Sequence, residues 1–368
     1  MGRLIKPPPM DFRMTSLPAQ PPDGVAQPRN GQHLPSRLPG VDAVRFVLAC
    51  WVAWGHVGLF ALPDALNQKH GPLLLVRAVY NNLFAGPVAV VAFFVVSGFC
   101  IHYPFRRAAQ LNHIEFYARR NLRIVVPAAV SVLIGALPPI NMTVDSIAES
   151  ILWSLVCEEI YYLLYPLIFR LRKRVSLDWV IAVAFIAGFA VAATDPTATN
   201  YPSFGVELNW VLGFPCWLVG MRLASRDDAL AAPPPSLPSM WMWRLGILAA
   251  SVLLSALRFH TPLTYPWTLN VFAVPAAAWL GAEIRWALAH GRSWLEPFGA
   301  WSYSVYLFHL QAGFLVTLAG SHVAEVPGSW IPRAVLILGC CWVFSVVVER
   351  PTQRLSRALG ELIRRKLA

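Results

Sequence analysis

The sequence predicts an all-α fold, a polytopic membrane helical bundle of about ten transmembrane helices with both termini in the cytosol. The first observation is composition, since 57% of the 368 residues are hydrophobic and only 13% are charged. A soluble protein of this length needs more surface charge, so one membrane domain is favoured. The second observation is a series of ten apolar stretches, each close to the roughly 20 residues that a helix needs to cross a bilayer. They cover residues 41–60, 84–103, 124–140, 151–169, 176–194, 206–223, 241–258, 267–288, 298–319 and 331–348.

The third observation is the distribution of positive charge, which gives the chain a net charge of +11. With ten spans and both termini inside, 26 of the 30 Lys and Arg residues fall on the cytosolic side. Such a bias is typical of the positive-inside rule. A nucleic-acid partner would require a continuous basic face, whereas these residues occupy short loops, so no nucleic-acid binding is predicted. The four exceptions are Lys69, Arg77, Arg258 and Arg333.

Composition divides the chain into three segments. Residues 1–37 contain eight prolines and no apolar run, which predicts a disordered Pro-rich cytosolic tail. Residues 38–355 hold all the apolar stretches and form the membrane domain, and residues 356–368 are predicted to be a basic cytosolic tail. The six cysteines show neither CxxC nor Cys/His ligand spacing, so we expect no disulfide and no metal site.

The first apolar stretch carries two ionisable side chains on one helix face. Eleven helical steps separate Arg45 from His56, which places them about 20° apart around the axis and about 16 Å apart in depth. Because ionisable groups in hydrocarbon turn toward a bundle interior or a wet cavity, this face is a candidate site. The alternative is a core histidine that hydrogen-bonds a neighbouring helix.

Two arginines come just before the third apolar stretch. Arg120 and Arg123 are three residues apart, so they share a helix face at the inner rim of the membrane. Two guanidinium groups in that position can hold phosphate oxygens. The alternative is topological anchoring, which is the favoured interpretation for Arg106, Arg107 and Arg119.

Polar stripes mark two later stretches. In the fourth stretch, Glu158 lies at a depth close to that of His56, and we expect it to orient that imidazole or to pair with an arginine. A hydrogen bond that tethers two helices is the alternative role of Glu158. In the ninth stretch, His309 lies near the membrane midplane and shares a face with Tyr306. Glu349 ends the tenth stretch, where a structural pairing with a loop arginine and a functional role are equally open.

Taken together, these stretches resemble the acyltransferase-3 family of integral membrane O-acyltransferases over residues 38 to about 355. Six patterns in the right order make the resemblance specific, whereas any one of them alone would be weak. The patterns are an Arg and a His separated by ten residues (Arg45 and His56), FFxxSGF at 93–99, the pair Arg120 and Arg123, WSLxxEExxYLLYP at 153–166, SYSxYLFH at 302–309 and ERP at 349–351.

The resemblance implies an acyl-CoA-dependent O-acyltransferase of the bacterial inner membrane. The donor it implies is acyl-CoA, with acetyl-CoA expected and no tightly bound cofactor. The acceptor it implies is a carbohydrate or glycolipid hydroxyl, on a surface polysaccharide, a lipid-linked glycan or a glycosylated natural product. The residues expected to act are His56, Glu158 and His309 in catalysis, and Arg45, Arg120 and Arg123 in donor binding.

Two further expectations accompany the resemblance. Some family members carry a periplasmic esterase-like domain after the membrane part, so a separate periplasmic partner is one way for this chain to complete transfer. The alternative function, from another class, is a transporter or flippase in which the three catalytic candidates relay protons within the membrane. Free CoA release and a labelled acceptor would distinguish the enzyme from the transporter.

Overall fold

The computed structural model describes residues 34–35, 37–57, 71, 73–320 and 330–367, and within them every regular element is a helix. The predicted disordered tail over residues 1–37 therefore lies almost entirely outside the described residues. The α-helices in the described part are α1 (Val41–Val57), α2 (Leu73–Leu83), α3 (Gly86–His102), α4 (His113–Ala136), α5 (Val144–Ile147), α6 (Trp153–Leu171), α7 (Leu177–Thr194), α8 (Gly205–Ala224), α9 (Asp227–Ala231), α10 (Leu237–His260), α11 (Tyr265–His290), α12 (Ser302–Ala319), α13 (Trp330–Phe344) and α14 (Arg350–Leu367).

Seven helical segments of the described chain are long and apolar enough to cross a membrane. The all-helical class is thus confirmed, and every predicted apolar stretch contains a helix in its described part, residues 58–60 of the first stretch lying outside the described residues. Three of these helices fall short of the length and hydropathy that define the seven. α1 is described for only 17 residues, α4 begins with a charged turn, and α12 carries serine, tyrosine, histidine and glutamine within its length. The count of ten spans and the cytosolic position of both termini therefore remain predictions.

The outer surface of α7 indicates the kind of solvent that surrounds the bundle. Along this helix the buried positions are a stripe of small residues, Ala184, Gly188 and Ala192. The large apolar residues point outward, and Trp179 and Ile186 are 69% and 68% exposed. Water-soluble proteins rarely present such continuous apolar surface, whereas a lipid-facing helix does so without cost. This surface agrees with an integral membrane protein.

Close packing of α3 against α8 fixes one wall of the site. A Cβ atom added at Gly98 would lie 1.9 Å from the carbonyl oxygen of Trp217, and one added at Gly220 would lie 1.9 Å from that of Val95. Small residues at such crossings let two helix backbones approach closely within a membrane. A larger side chain at either glycine would separate the helices and move Ser97, which lies next to Gly98.

Helix α14, which covers residues 356–367 of the predicted basic tail, packs along α4. The Ser356 hydroxyl donates to the carbonyl oxygen of Arg119 at 2.7 Å. One turn further on, a Cβ atom at Gly360 would lie only 2.2 Å from Nε of Arg119. The absence of a side chain at Gly360 therefore allows the close contact between the two helices. Asn112 caps the N-terminus of helix α4, because its side chain accepts a hydrogen bond from the backbone N–H of Glu115 at 3.1 Å.

Candidate active site

A basic cavity of about 700 Å³, here called the outer cavity, opens between α1, α4 and α14. Among the described residues that line it, arginines outnumber carboxylates seven to two. Arginine is well suited to phosphate because its planar guanidinium offers several donors in a fixed geometry. The outer cavity therefore suits an anionic ligand with more than one phosphate. Its arginines are Arg37, Arg45, Arg119, Arg120, Arg123, Arg357 and Arg364, and its carboxylates are Asp42 and Glu115.

The two carboxylates neutralise only part of this charge. Asp42 forms an ion pair with Arg37, and its other oxygen lies 3.5 Å from Nη1 of Arg45. Glu115 pairs with Arg119 at 2.8 Å. Within the described chain, no ion pair occupies the two arginines that the sequence singled out on α4. Their charge is thus available to a ligand.

A second, smaller cavity of about 140 Å³, here called the inner chamber, adjoins the outer cavity. Four residues line both spaces, which places them at the junction: Arg45, Cys100, Arg120 and Arg123. The structure thus brings together the three arginines that the sequence analysis expected to bind the donor. They come from two helices that are far apart in the sequence.

Hydroxyl groups and one carboxylate form a hydrogen-bonded wall in the inner chamber. The Tyr162 hydroxyl donates to Oε1 of Glu158 at 2.5 Å and lies 3.0 Å from Oγ of Ser97. On the other side, the Ser154 hydroxyl is hydrogen-bonded to the Tyr306 hydroxyl. All five residues line the chamber. These groups give the chamber polar contacts within an otherwise apolar bundle.

His56 and His309 form a hydrogen-bonded pair, here called the histidine pair. Nδ1 of His56 and Nε2 of His309 are 2.8 Å apart, and the two rings are parallel with centroids 5.1 Å apart. His309 is fully buried, whereas His56 is exposed near the end of α1. The structure therefore brings together two of the three catalytic candidates, from the two ends of the sequence.

Hydrogen bonding assigns the protons of the neutral histidine pair. Nδ1 of His309 lies 3.1 Å from the carbonyl oxygen of Val305 and 2.9 Å from that of Tyr306. Because carbonyl oxygens only accept, Nδ1 of His309 carries its proton and Nε2 presents a lone pair. Nδ1 of His56 must then donate to that lone pair. In this tautomer, Nε2 of His56 is unprotonated and able to act as a base.

The third catalytic candidate lies elsewhere in the site. In the described chain Glu158 hydrogen-bonds Tyr162, and no hydrogen bond joins it to His56. The described lining of the two cavities includes Glu158 but neither histidine. The connection runs through α12, because Tyr306 lines the inner chamber and lies one helical turn before His309. The histidine pair is therefore adjacent to the chamber along α12.

Several residues of the site were missed by sequence reasoning. On α6, Tyr161 and Tyr165 follow Glu158 at helical spacing, but both are fully buried and bond to neighbouring helices. Tyr162 is the tyrosine that hydrogen-bonds Glu158. It lies four residues after Glu158, and side chains at that spacing meet on a helix surface, so the sequence held a signal for this contact. On α14, Arg357 and Arg364 lie in the predicted basic tail. Their spacing of seven residues, which repeats one helix face, could have placed them together.

The described chain is an all-helical bundle whose long apolar helices are typical of an integral membrane protein, and its arginine-lined cavity adjoins a hydroxyl-lined chamber. A family model described as an acyltransferase domain matches residues 38–348, so the chain belongs to the acyltransferase-3 family and is an O-acyltransferase. It is similar to acyltransferase MdmB of Streptomyces mycarofaciens, with 24% identity over 318 residues, which cover 75% of this chain and 79% of that relative. No solved structure matches the chain.

Proposed function

We propose that the protein transfers an acyl group, with acetyl as the expected group, from cytosolic acyl-CoA to a hydroxyl of a carbohydrate or glycolipid at the bacterial inner membrane. The acceptor classes are a surface polysaccharide, a lipid-linked glycan and a glycosylated natural product. The observation that carries the proposal is the arginine-lined outer cavity that adjoins a hydroxyl-lined chamber. This arrangement matches a donor with phosphates at one end and a reactive thioester at the other.

The arginines at the junction bind the donor in this proposal. Arg120 and Arg123 carry no ion pair in the described chain, and Arg45 shares its carboxylate partner with Arg37. Guanidinium groups form strong, charge-assisted hydrogen bonds with phosphate oxygens. With the diphosphate held at the junction, the pantetheine arm enters the inner chamber. The thioester then lies on the side of the bundle that holds the histidine pair.

His56 is the general base of the proposed reaction. Its Nε2 takes the proton of the acceptor hydroxyl while the hydroxyl oxygen attacks the thioester carbonyl carbon. The C–S bond then breaks, and the CoA thiolate takes the proton from His56 as it leaves, so the products are an ester and CoA thiol. His309 accepts the hydrogen bond from Nδ1 of His56 throughout and favours the imidazolium that forms in between.

Glu158 acts in this scheme as a positioning residue. Its carboxylate accepts the hydrogen bond of Tyr162, which fixes that hydroxyl on the chamber wall beside Ser97. A wall of fixed hydroxyls orients the thioester without reorganisation during the reaction. A proton relay requires continuous proton exchange among Glu158, His56 and His309. Because Glu158 is separate from the hydrogen bond of the histidine pair, the structure supports the enzyme over the relay.

Isotopic labelling tests the proposed function. Membranes that contain the protein are given labelled acetyl-CoA, and both free CoA and acceptor label are measured. We expect CoA release that depends on the protein, together with label in a carbohydrate or glycolipid fraction identified by mass spectrometry of surface glycans with and without the gene. Addition of a periplasmic extract tests for a separate partner. No turnover with any acceptor fraction would favour the transporter instead.

A further inference from the structure

We propose that helix α14 forms a second phosphate site for the donor, in which Arg357 and Arg364 bind the phosphate on the ribose of the CoA ester. The inference rests on the proposed function, because it takes a CoA ester as the donor. It assigns a ligand to a helix whose sequence otherwise suggests a charged tail. The evidence is the position, anchoring and charge of this helix.

The two arginines share one face of α14. They are seven residues apart, which places them about 20° apart around the axis and about 10 Å apart along it. Both line the outer cavity, together with Gln353 and Ser356 of the same helix. The other arginines of α14, such as Arg354, do not line this cavity. One face of the helix therefore forms a wall of the cavity.

Contacts along its length hold α14 in place against the donor-binding helix α4. Ser356 donates to the carbonyl oxygen of Arg119, and Gly360 allows the close approach described above. At the start of α14, Gln353 donates to Oε1 of Glu349 at 2.8 Å, and the other oxygen of Glu349 accepts from the backbone N–H of Ser304 at 3.2 Å. The α14 arginines are thus fixed relative to Arg120 and Arg123 on α4.

The order of the two arginine groups along the cavity matches the order of the phosphates in the donor. Arg120 and Arg123 of α4 line both the outer cavity and the inner chamber, whereas the two α14 arginines line the outer cavity alone and are exposed. In a CoA ester the diphosphate lies between the thioester arm and the nucleoside, and the ribose phosphate lies beyond it. If the thioester occupies the chamber, the diphosphate reaches the α4 arginines and the ribose phosphate reaches α14.

Both α14 arginines have charge available for this contact. Over the described residues, no carboxylate forms an ion pair with Arg357 or Arg364. The hydrogen bond of Arg357 in that part of the chain runs from Nε to the carbonyl oxygen of Gln353, at 3.3 Å. This bond leaves the terminal nitrogens of Arg357 able to donate to a phosphate. Other rim arginines, Arg37 and Arg119, are already paired with carboxylates.

A lipid headgroup offers the same phosphate chemistry, but the geometry of α14 favours the donor. The exposed leucines of the helix, Leu355 and Leu362, are 59% and 50% exposed. At 100° per residue they lie about 160° around the axis from Arg357 and Arg364. A helix that rests on the bilayer through these leucines directs the two arginines away from the lipid and into the outer cavity.

The test compares two donors on the purified full-length protein, acetyl-CoA and acetyl-dephospho-CoA, which lacks the ribose phosphate. Binding is measured in detergent without added lipid. We expect the wild type to bind acetyl-CoA about 10- to 100-fold more tightly than the dephospho form, as is typical of hydrogen bonds to a charged group. Arg357→Gln and Arg364→Gln should each remove most of this preference and leave the affinity for acetyl-dephospho-CoA unchanged.

Two matched variants on the same helix control for net charge. Arg354→Gln and Arg365→Gln remove exposed arginines that do not line the cavity, so both donors should bind to them as to the wild type. The inference is overturned if the wild type binds both donors equally, or if the four variants weaken acetyl-CoA binding to the same extent. It is also overturned if the cavity-lining variants alter only the binding of phosphatidylglycerol added to the detergent-solubilised protein, since that identifies a lipid site. A wild type that binds neither CoA ester contradicts the proposed function itself.

Discussion

The histidine pair depends on one hydrogen bond, whereas several side chains share the positive charge of the outer cavity. The histidine pair rests on one hydrogen bond of 2.8 Å between side chains 253 residues apart, and its inner member is fully buried. The outer cavity instead spreads its positive charge over seven arginines from several segments, most of them partly or fully exposed. A change in the pair should therefore affect the rate of the chemical step, whereas a change in the cavity should affect donor affinity in graded amounts.

The largest expected effect is the loss of transfer in His56→Gln. Removal of a general base typically lowers a rate by about 10²- to 10⁴-fold, and the affinity for acetyl-CoA should stay within about twofold because His56 does not line the outer cavity. Transfer rate and donor affinity are measured on purified protein. Near wild-type transfer by a folded His56→Gln protein would exclude His56 as the base.

A buried histidine outside the site, replaced in the same way, provides a structural control. His102 is fully buried and hydrogen-bonds the Tyr165 hydroxyl at 3.0 Å. His102→Gln should lower thermal stability, because it disturbs a buried polar contact, but it should keep the transfer rate per folded molecule. The two glutamine variants therefore distinguish a catalytic from a structural histidine.

His309 should show an intermediate effect that depends on the replacement. In His309→Leu, Nδ1 of His56 loses its acceptor, and we expect transfer to fall by about 10- to 100-fold, as for the loss of other groups that orient a functional imidazole. In His309→Gln, the side-chain oxygen can accept that hydrogen bond and should restore part of the rate. Equal loss in both variants, with unchanged stability, would contradict the positioning role of His309.

Arg120→Gln and Arg123→Gln should weaken binding rather than chemistry. Each removes a charge-assisted contact to the donor, so we expect the Kd for acetyl-CoA to rise about tenfold or more while kcat at saturating donor stays near the wild type. Lysine at either position should restore affinity only partly, because an ammonium cannot reproduce the guanidinium geometry. Normal donor affinity in both glutamine variants would assign these arginines to topological anchoring.

The smallest expected effect concerns arginines of the neighbouring loop that are already paired. Arg106 and Arg107 both contact Asp227, at 2.8 Å and 2.6 Å, and neither lines the outer cavity. Burial disfavours the ionised form of Asp227, but the hydrogen bonds from the two arginines outweigh it and hold the pKa of this carboxyl below its usual value. Arg106→Gln and Asp227→Asn should therefore leave donor affinity unchanged and lower thermal stability slightly at pH 7.

The stability effect of Asp227 should depend on pH with a definite sign. A carboxyl whose pKa is lower in the folded state stabilises that state above its unfolded pKa, about 4, and this contribution disappears as the pH falls through the folded pKa. The difference in Tm between the wild type and Asp227→Asn should thus be largest near neutrality and vanish in acid. A difference that persists at low pH would mean that the ion pairs are not its source.

The sequence was sufficient to predict relations within one helix. Periodicity alone grouped Arg120 with Arg123, which both line the two cavities, because residues on one helix face follow from 3.6 residues per turn. The helical class followed from the apolar stretches and is confirmed. Each of these inferences depends on local geometry, which sequence spacing determines.

Contacts between residues of different helices could not be predicted from the sequence. The contact between His56 and His309 depends on how α1 and α12 are aligned along their axes, and that alignment results from packing across the whole bundle. The expected contact of Glu158 with His56 compared depth only, and depth does not specify direction around the axis. The same limitation applies to α14, since the need for a glycine at position 360 is apparent only when α4 is seen to pack against it.

The most direct test of this division between binding and chemistry compares two variants, His56→Gln and Arg123→Gln, in one assay series. For each, the Kd for acetyl-CoA and the rate of acetyl transfer at saturating donor are determined together. We predict that His56→Gln loses at least about 100-fold in rate with its Kd unchanged. Arg123→Gln should lose about tenfold or more in affinity with its saturated rate near that of the wild type. If both variants lose rate and affinity in the same proportion, the histidine pair and the outer cavity do not have separate roles.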